Sequence, residues 1–557
     1  MENKQNIKLA KGVLILSAFL FGGYHEFVSG ILTVILSAGL LIFDRKEQDL
    51  GQYRTLPVYV MLLILIGSIG SIFTAADSGM AVIGVIKYMP LLPAALLFSK
   101  MTREEREETI CILPYVNSAI LAVSLFSLLH PSWSEYFFHG ERLGGTFQYS
   151  NTMALFFLIG IYCVEEREKR NLRSCALLVA QILGIFFTGS RSVFIFLVVY
   201  MLYATWKKKD YRIFNIGIMT AAMISGIFVV LQTGNMQNIG RFLTISLNNS
   251  TFLGRLLYWQ DALPLAISHP LGTGYMGSFY MQGQIQTGVY TTRLLHNSLL
   301  QLLIDFGWIP AVAVIVLILS SFFSKEHSRF LKGILLLVIF HSLLDFDLQY
   351  MAMGFLFLLA ADYKKTGSGK ALAKKNQKGV LRAGAVSMLL VSACFLVPLL
   401  AEYGDNHELA VKLYPHYTEP LIDLLWQSSS QEEGERLADQ ILEQNSYCYQ
   451  AYDAKALAAL NKKDYEDVVR YKKLAIANNP YEIIEYIDYI SLLSEIIYRC
   501  NEEGEMEQMA VYIKEIKEIP QMLQDVRNRT SLLGWKIQDK PELELPEEYK
   551  EYVQAFQ

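Results

Sequence analysis

Long apolar runs, separated by short breaks rich in Lys and Arg, dominate the first 401 residues of the chain. A helix needs about 20 residues to cross a hydrocarbon core of about 30 Å, and runs of roughly that length recur throughout this part. Lys4, Lys8 and Lys11 precede the first run, but further runs follow it, so we interpret it as an anchor rather than a cleaved signal peptide. The pattern predicts thirteen membrane spans, at residues 9–23, 27–43, 56–74, 80–98, 109–129, 151–164, 174–189, 192–206, 213–231, 297–323, 333–344, 348–362 and 380–401.

Residues 402–557 have a different pattern, with short amphipathic helices and no run long enough to span a membrane. Apolar residues in 445–480 follow the spacing of a tetratricopeptide repeat of about 34 residues. Helical pairs near 417–443 and 481–517 would bring the number of units to about three, the least that such a stack needs. The sequence therefore predicts an all-α chain, in which a polytopic membrane helix bundle, residues 1–401, precedes a tetratricopeptide-like domain. That domain is expected to contact an envelope-assembly protein or a glycan, or to act as a structural cap.

The distribution of charge indicates how the spans are oriented. The chain of 557 residues is 53% hydrophobic and only 18% charged, which is unusually apolar for a soluble protein. Residues 402–557 hold 31 acidic against 16 basic residues, whereas the preceding part has a net charge of +11. The breaks that alternate onto the N-terminal side hold 27 Lys and Arg, against five on the opposite side, and these bases resist translocation. We therefore expect a multi-pass protein of the cytoplasmic membrane, with a cytoplasmic N-terminus and an exported C-terminal domain.

Two pairs of spans are short for two full crossings and are predicted to form tight hairpins. By length alone, residues 174–206 would suit one long helix, but a single crossing would export the bases that follow. The tip of this hairpin is Gly189, Ser190 and Arg191, and the tip of the second hairpin lies near Asp345. An arginine at such a tip is partly immersed, which is costly and marks a functional candidate. The alternative is a side chain that extends to the lipid headgroups.

Two predicted outer loops, residues 130–151 and 232–297, are long enough to carry function. The second loop has three arginines and two histidines but a single acid, Asp261. Such a cationic surface suits phosphate or pyrophosphate, which arginine binds in bidentate geometry, although a merely solvated loop could have the same charges.

Three groups of residues in or beside these loops carry a recognisable pattern. They are Gly140 to Phe147 with Asn151; Thr188 to Arg191; and Arg255, Trp259, His269 to Gly274, His296, Asn297, Leu300, Gln301 and Gly307. In this order and placement they resemble the O-antigen ligase and O-antigen polymerase family of bacterial membrane proteins. The resemblance implies a glycosyltransferase-C-like membrane fold and transfer of a glycan from undecaprenyl pyrophosphate to a glycan, lipid-glycan or protein acceptor outside the membrane. We expect no cofactor, no metal and no nucleic-acid partner.

The chemistry of such a transfer suggests roles for individual residues. Negative charge develops on the leaving phosphate, and Arg191 and Arg255 are the predicted cations that stabilise it. The acceptor hydroxyl loses a proton, and His296 is the predicted base, with a helix-capping or headgroup contact as the alternative. His341 and Asp345 are secondary candidates. The predicted substrate-binding residues are Arg142, Asn151, Asn297, Ser190 and Arg293.

Asp345 and Asp347, with His341 one turn before them, also resemble the acidic pair of metal-dependent glycosyltransferases. We do not adopt that interpretation, because nucleotide sugars are cytoplasmic, this tip is predicted to face outward, and no further acids lie near enough in sequence to complete an oxygen cage. A buried acid that pairs with His341 or with a loop arginine is the preferred interpretation.

Two other classes of protein also have many spans. A transporter or flippase for polysaccharide or lipid-linked glycan would place ionisable residues near the bilayer midplane, where this chain has chiefly Lys87 and Asp305. A non-catalytic assembly scaffold would depend on the exported domain and leave the loop arginines dispensable. In that domain Cys448 and Cys500 could form a disulfide if the compartment is oxidising.

Overall fold

A computed structural model describes residues 2–43, 53–169, 171–207, 250–365, 374–537 and 539–556, with a few single positions between 213 and 224. The described chain is almost entirely helical. Its α-helices in the first part are Glu2–Phe19, Glu26–Phe43, Leu56–Ser71, Ser78–Tyr88, Leu91–Ser99, Arg103–Ile110, Leu113–Ser127, Pro131–Phe137, Ser150–Arg167, Leu172–Thr188, Arg191–Lys207, Ser250–Ser268, Gly277–Tyr280, Gln282–Ile285, Ser298–Phe306, Trp308–Phe323, Arg329–Ser342, Met351–Ala360 and Lys374–Tyr403. The remaining α-helices are His407–Leu413, Thr418–Gln427, Gln431–Leu442, Tyr449–Asn461, Tyr465–Asn478, Ile483–Glu503, Met506–Arg529 and Glu547–Gln554.

Apolar helices form the body of the molecule, as the sequence pattern predicts. Within the described ranges, four helical stretches are long and apolar enough to cross a membrane: Leu56–Thr74, Ser78–Ser99, Arg103–Ser127 and Gly379–Tyr403. Shorter apolar helices are Glu26–Ile42, Leu172–Thr188, Trp308–Phe323 and Met351–Ala360. Their buried side chains belong to one hydrophobic cluster that extends from Ala10 to Tyr417. These features are those of an integral membrane protein, while the count of thirteen spans and their orientation stay predictions.

Both predicted helix breaks at the hairpin tips are confirmed. The helix Leu172–Thr188 ends at Gly189, whose φ of 58° lies in the left-handed region that glycine adopts without strain, and the next helix begins at Arg191. The helices Arg329–Ser342 and Met351–Ala360 are separated by a connection that contains Asp345.

The predicted span 297–323 is wrong in one respect, because the structure divides it at Gly307. That residue has a φ of 85°, and a Cβ atom there would lie 2.4 Å from the carbonyl oxygen of Pro270. The backbone N–H of Trp308 donates a hydrogen bond to the same oxygen at 3.1 Å. The close approach of the second loop therefore breaks the helix, and the long apolar helix begins at Trp308.

The predicted outer loops contain regular structure. The first contains the helix Pro131–Phe137 and an antiparallel pair of two-residue strands, Phe138–His139 and Arg142–Leu143, so the chain is not strictly all-α. The second contains the long helix Ser250–Ser268. Most of the predicted span 213–231, and residues 232–249 of this loop, lie outside the described residues.

The C-terminal helices pack directly against the bundle. Ala410 and Tyr417 belong to the same hydrophobic cluster as the apolar helices. The Asn445 amide donates to the carboxylate of Asp77 at 2.9 Å, and the Tyr414 hydroxyl donates to the carbonyl of Gly79 at the same distance. The boundary predicted at residue 402 therefore coincides closely with the end of a helix, but not with the end of a hydrophobic core.

A second set of contacts joins the C-terminal helices to the second loop. The backbone N–H of Ser531 donates to the carbonyl of Thr287 at 2.9 Å, and the guanidinium of Arg529 donates to the carbonyl of Gly283 at 3.0 Å. These bonds hold the segment that leads to His296. The helices do occur in pairs, although their assignment to tetratricopeptide repeats stays a prediction. Cys448 and Cys500 are free thiols in two different hydrophobic clusters.

Candidate functional site

The carboxylate of Asp345 joins four of the loop side chains. It is fully buried. It accepts hydrogen bonds from the Tyr149 hydroxyl at 2.9 Å, the Asn151 amide at 2.8 Å, the Arg255 guanidinium at 3.1 Å and Nδ1 of His296 at 3.1 Å. Residues that are far apart in the sequence thus converge on one acid.

The backbone around His296 is held in an unusual conformation. His296 has a φ of 50°, in the left-handed region that a residue with a Cβ atom rarely adopts. Both backbone polar groups of the preceding residue, Leu295, are hydrogen-bonded. Its N–H donates to Gln301 Oε1 at 2.9 Å, and its carbonyl accepts from the Trp259 indole at 2.7 Å. The site therefore fixes the direction of the imidazole through its backbone as well as through Asp345.

The electrostatics keep Asp345 ionised. Burial alone would raise the pKa of this carboxyl, but the hydrogen bond from His296 and the nearby charge of Arg255 outweigh it and hold the pKa well below its usual range. Burial and the neighbouring carboxylate of Asp345 raise the pKa of Tyr149, so its phenol stays protonated and acts as a donor.

Two polar atoms of this cluster have no partner among the described residues. Nδ1 of His296 faces Asp345, and Nε2 has no hydrogen bond there, while the side chain is 23% exposed. Nε of Arg255 is buried and lacks an acceptor, although the same guanidinium contacts Asp345. A buried donor without an acceptor is uncommon, which makes this nitrogen a candidate for binding a ligand oxygen.

Arg142 connects this cluster to the first hairpin tip. Its Nη2 donates to Asn151 Oδ1 at 2.8 Å, and its Nε donates to the carbonyl of Thr188 at 2.9 Å. Two residues after that carbonyl is Ser190, which is buried, and Arg191 follows as the first, half-buried residue of its helix. The structure therefore brings the hairpin tip beside Asp345.

A second carboxylate–imidazole pair lies next to the first. Oδ2 of Asp347 is 2.7 Å from Nδ1 of His341, and Oδ1 accepts from the Thr152 hydroxyl at 2.8 Å. Nε2 of His341 is 3.1 Å from the hydroxyl oxygen of Ser192. The acids therefore pair as the sequence suggested, Asp345 with a loop arginine and Asp347 with His341.

Two predicted substrate-binding residues do not join the cluster. Asn297 caps the helix Ser298–Phe306, because its side-chain oxygen accepts from the N–H groups of Leu299 and Leu300. Arg293 forms an ion pair with Glu419 of the C-terminal helices. Their predicted roles as substrate ligands stay predictions, and in the structure their polar groups serve local capping and docking of the C-terminal helices.

Three residues of these networks were missed in the sequence. Tyr149 and Thr152 flank Asn151, so the polar run that begins the helix Ser150–Arg167 could have indicated them. Ser192 directly follows the motif that ends at Arg191. No sequence signal paired it with His341, which is 149 residues away.

The described part of the chain contains one group of three side chains that could hold a metal ion: Glu402, His407 and Asp423. It lies where the last long helix meets the C-terminal helices. It contains none of the residues that converge on Asp345 or Asp347.

Comparison with known families agrees with this geometry. The sequence model described as O-antigen ligase matches residues 176–315, which include Arg191, Arg255 and His296. Over this segment, about a quarter of the chain, the sequence is similar to the O-antigen ligase family. The O-antigen ligase family acts in polysaccharide assembly by glycan transfer, with a lipid-linked glycan donor and a glycan acceptor in a membrane. No curated protein matches the chain.

Proposed function

We propose that this protein transfers a glycan from an undecaprenyl-pyrophosphate-linked donor to a hydroxyl group of an acceptor sugar, at the outer face of the cytoplasmic membrane. The observation that best supports this function is the shared carboxylate of Asp345. Its Oδ2 contacts Arg255 and its Oδ1 contacts His296, each at 3.1 Å. A cation suited to the leaving group and a base suited to the acceptor are therefore held side by side.

His296 accepts the proton of the acceptor hydroxyl. Because Asp345 is ionised and can only accept, it fixes the imidazole with its proton on Nδ1 and leaves Nε2 as the proton acceptor. Phe346 packs edge-on against the imidazole, with 4.9 Å between ring centroids, and limits its rotation. The exposed edge of the ring is then directed to the substrate.

Arg255 binds the pyrophosphate of the donor. Its buried Nε lacks an acceptor among the described residues, and a phosphate oxygen would supply one. As the acceptor oxygen attacks the anomeric carbon, the bond from that carbon to the pyrophosphate oxygen breaks and negative charge grows on the phosphate. A fixed cation stabilises this charge more in the transition state than in the ground state. Arg191, at the neighbouring hairpin tip, is the second such cation.

Substitution of Arg255 tests this function directly. Arg255→Lys keeps the charge but loses the planar fork, so we expect weak residual transfer, and Arg255→Ala should lose more. The measurement is the amount of surface glycan in cells that depend on the variant, together with the transfer rate of the purified protein. Arg103→Ala is the matched control, because Arg103 is exposed and, among the described residues, forms an ion pair with the adjacent Glu104 alone. Normal surface glycan with Arg255→Ala would instead support a scaffold.

Transfer is expected to proceed without a divalent metal ion. The described side chains around Asp345 are donors rather than additional carboxylates, and Arg255 supplies the positive charge that a metal would otherwise provide. The purified protein should therefore keep its transfer rate in EDTA. Loss of activity in EDTA and recovery with magnesium or manganese would overturn this expectation, and Asp345→Asn and Glu402→Gln variants would then show whether the metal binds at the second hairpin tip or at the group of Glu402, His407 and Asp423.

A further inference from the structure

We infer that Ser192, supported by His341 and Asp347, is a second catalytic residue of this site. Its hydroxyl group donates a proton to the departing pyrophosphate. The inference rests on the proposed function and assigns residues to the leaving-group side of that reaction. None of these three residues contacts His296 or Arg255 directly, and the transfer described above does not use them.

The three groups are connected in the order carboxylate, imidazole and hydroxyl. Asp347 contacts Nδ1 of His341 at 2.7 Å, and Nε2 of the same ring is 3.1 Å from the Ser192 hydroxyl. The carboxylate and the imidazole are fully buried, whereas Ser192 is partly exposed. The serine hydroxyl is therefore the end of the chain that a substrate can reach.

The position of this chain of groups beside the first site follows from two adjacent residues. Asn151 donates to Asp345, and the next residue, Thr152, donates to Asp347. The N-terminal end of the helix Ser150–Arg167 thus donates a hydrogen bond to each of the two acids, and each acid contacts one histidine. Ser192 immediately follows Arg191, so its hydroxyl lies on the hairpin tip that carries the second predicted cation.

A purely structural role does not readily explain why these polar residues are buried, because their burial costs hydration free energy. Burying an imidazole–carboxylate pair removes both groups from water, and apolar side chains of similar volume usually stabilise a core as well or better. Thr152 and Ser342 satisfy the remaining acceptor capacity of Asp347, at 2.8 and 3.3 Å. The network thus leads to the serine hydroxyl, whose oxygen also lies 3.4 Å from the hydroxyl oxygen of Ser190, a predicted substrate-binding residue.

The proton movements balance across the two histidines. The acceptor hydroxyl gives its proton to Nε2 of His296 as its oxygen bonds to the anomeric carbon. When the bond to pyrophosphate breaks, Ser192 gives its hydroxyl proton to the phosphate oxygen and takes one from Nε2 of His341. His296 ends protonated and His341 ends neutral, and exchange with water restores both.

The pH dependence of transfer tests this assignment. A neutral base and a protonated acid give the wild-type protein a bell-shaped profile of kcat/KM. Ser192→Ala and His341→Gln should lower kcat by about 10²-fold or more, the lower end of general-acid effects, and abolish the alkaline fall while KM changes little. Ser192→Thr should restore part of the rate and the alkaline fall. Ser134→Ala, whose hydroxyl bonds to the carbonyl of Pro131 in the first loop and belongs to neither network, is the matched control and should keep the wild-type profile.

The outcomes separate this inference from the proposed function. Wild-type kcat and an unchanged alkaline fall in Ser192→Ala would overturn the inference, even if His341→Gln does not fold. If His296→Ala abolishes transfer while Ser192→Ala is normal, the proposed function stands and the inference fails. If His296→Ala and Arg255→Ala are both as active as wild type, the proposed function itself fails.

Discussion

Replacing His296 by alanine is expected to lower the rate of glycan transfer by about 10²- to 10⁴-fold, while binding of the donor stays largely intact. In the proposed mechanism the imidazole accepts the proton of the acceptor through Nε2, which has no hydrogen bond among the described residues, so its loss removes a step of the reaction. It does not remove Arg255, whose guanidinium keeps its contact with Asp345 at 3.1 Å. Binding and turnover should therefore separate in this variant.

The experiment measures both quantities in the same detergent: affinity for an undecaprenyl-pyrophosphate glycan and the rate of transfer to an acceptor. His269→Ala is the matched control, because His269 lies in the same loop and, within the part of the chain that the structure describes, its ring bonds to the hydroxyl of the adjacent Ser268 alone. Wild-type transfer by His296→Ala would exclude histidine as the base and favour a route in which the substrate itself takes the proton. A parallel loss of donor binding would show that His296 holds the donor rather than activating the acceptor.

The helices could be predicted from the sequence because each apolar run is a local property. Both hairpins were predicted from charge instead, because a single crossing would export the bases that follow, and the helices do break at Gly189 and in the connection that contains Asp345. The helix break at Gly307 could not be predicted from the local pattern. It depends on a tertiary contact with the backbone of Pro270, which belongs to the second loop.

The site could be predicted only as a set of residue types. The motifs selected Arg255 and His296 without showing that both bind one carboxylate. The bond from Asn151 to Asp345 joins residues 194 positions apart, and no periodicity in the chain reports such a contact. Residue type also gave no indication that Arg293 pairs with Glu419, while its predicted role in substrate binding stays a prediction.

The C-terminal helices are part of the support of the site. The same loop that ends in His296 receives hydrogen bonds from Ser531 at Thr287 and from Arg529 at Gly283. Rigid support improves catalysis when a base must be held in one direction, as the left-handed backbone of His296 requires. These contacts favour the structural cap among the roles that the sequence left open for this domain.

Asp345→Asn is expected to reduce transfer by about 10⁴-fold, because an amide can donate to Nδ1 of His296 and thereby place the imidazole proton on Nε2, where it blocks the base. The change also leaves the guanidinium of Arg255 buried without its counterion, and removing one partner of a buried pair typically costs about 3–5 kcal/mol. We therefore expect a lower midpoint of thermal unfolding in addition to the lost activity. Thr152→Val, which removes a hydroxyl bonded to Asp347 instead, should leave the His296 imidazole unchanged.

A double substitution shows whether Asp345 acts through His296. If the carboxylate mainly orients the imidazole, His296→Ala combined with Asp345→Asn should be no slower than the slower single variant, because two residues that act as a unit are strongly non-additive. The transfer rates of the four proteins form the cycle, measured at a temperature where thermal unfolding shows all of them to be folded. Losses that multiply would mean that Asp345 serves Arg255 and the leaving group independently of the base. In that case the contact between Asp345 and His296 would contribute little to catalysis, and His296 would act as the base without being oriented by that carboxylate.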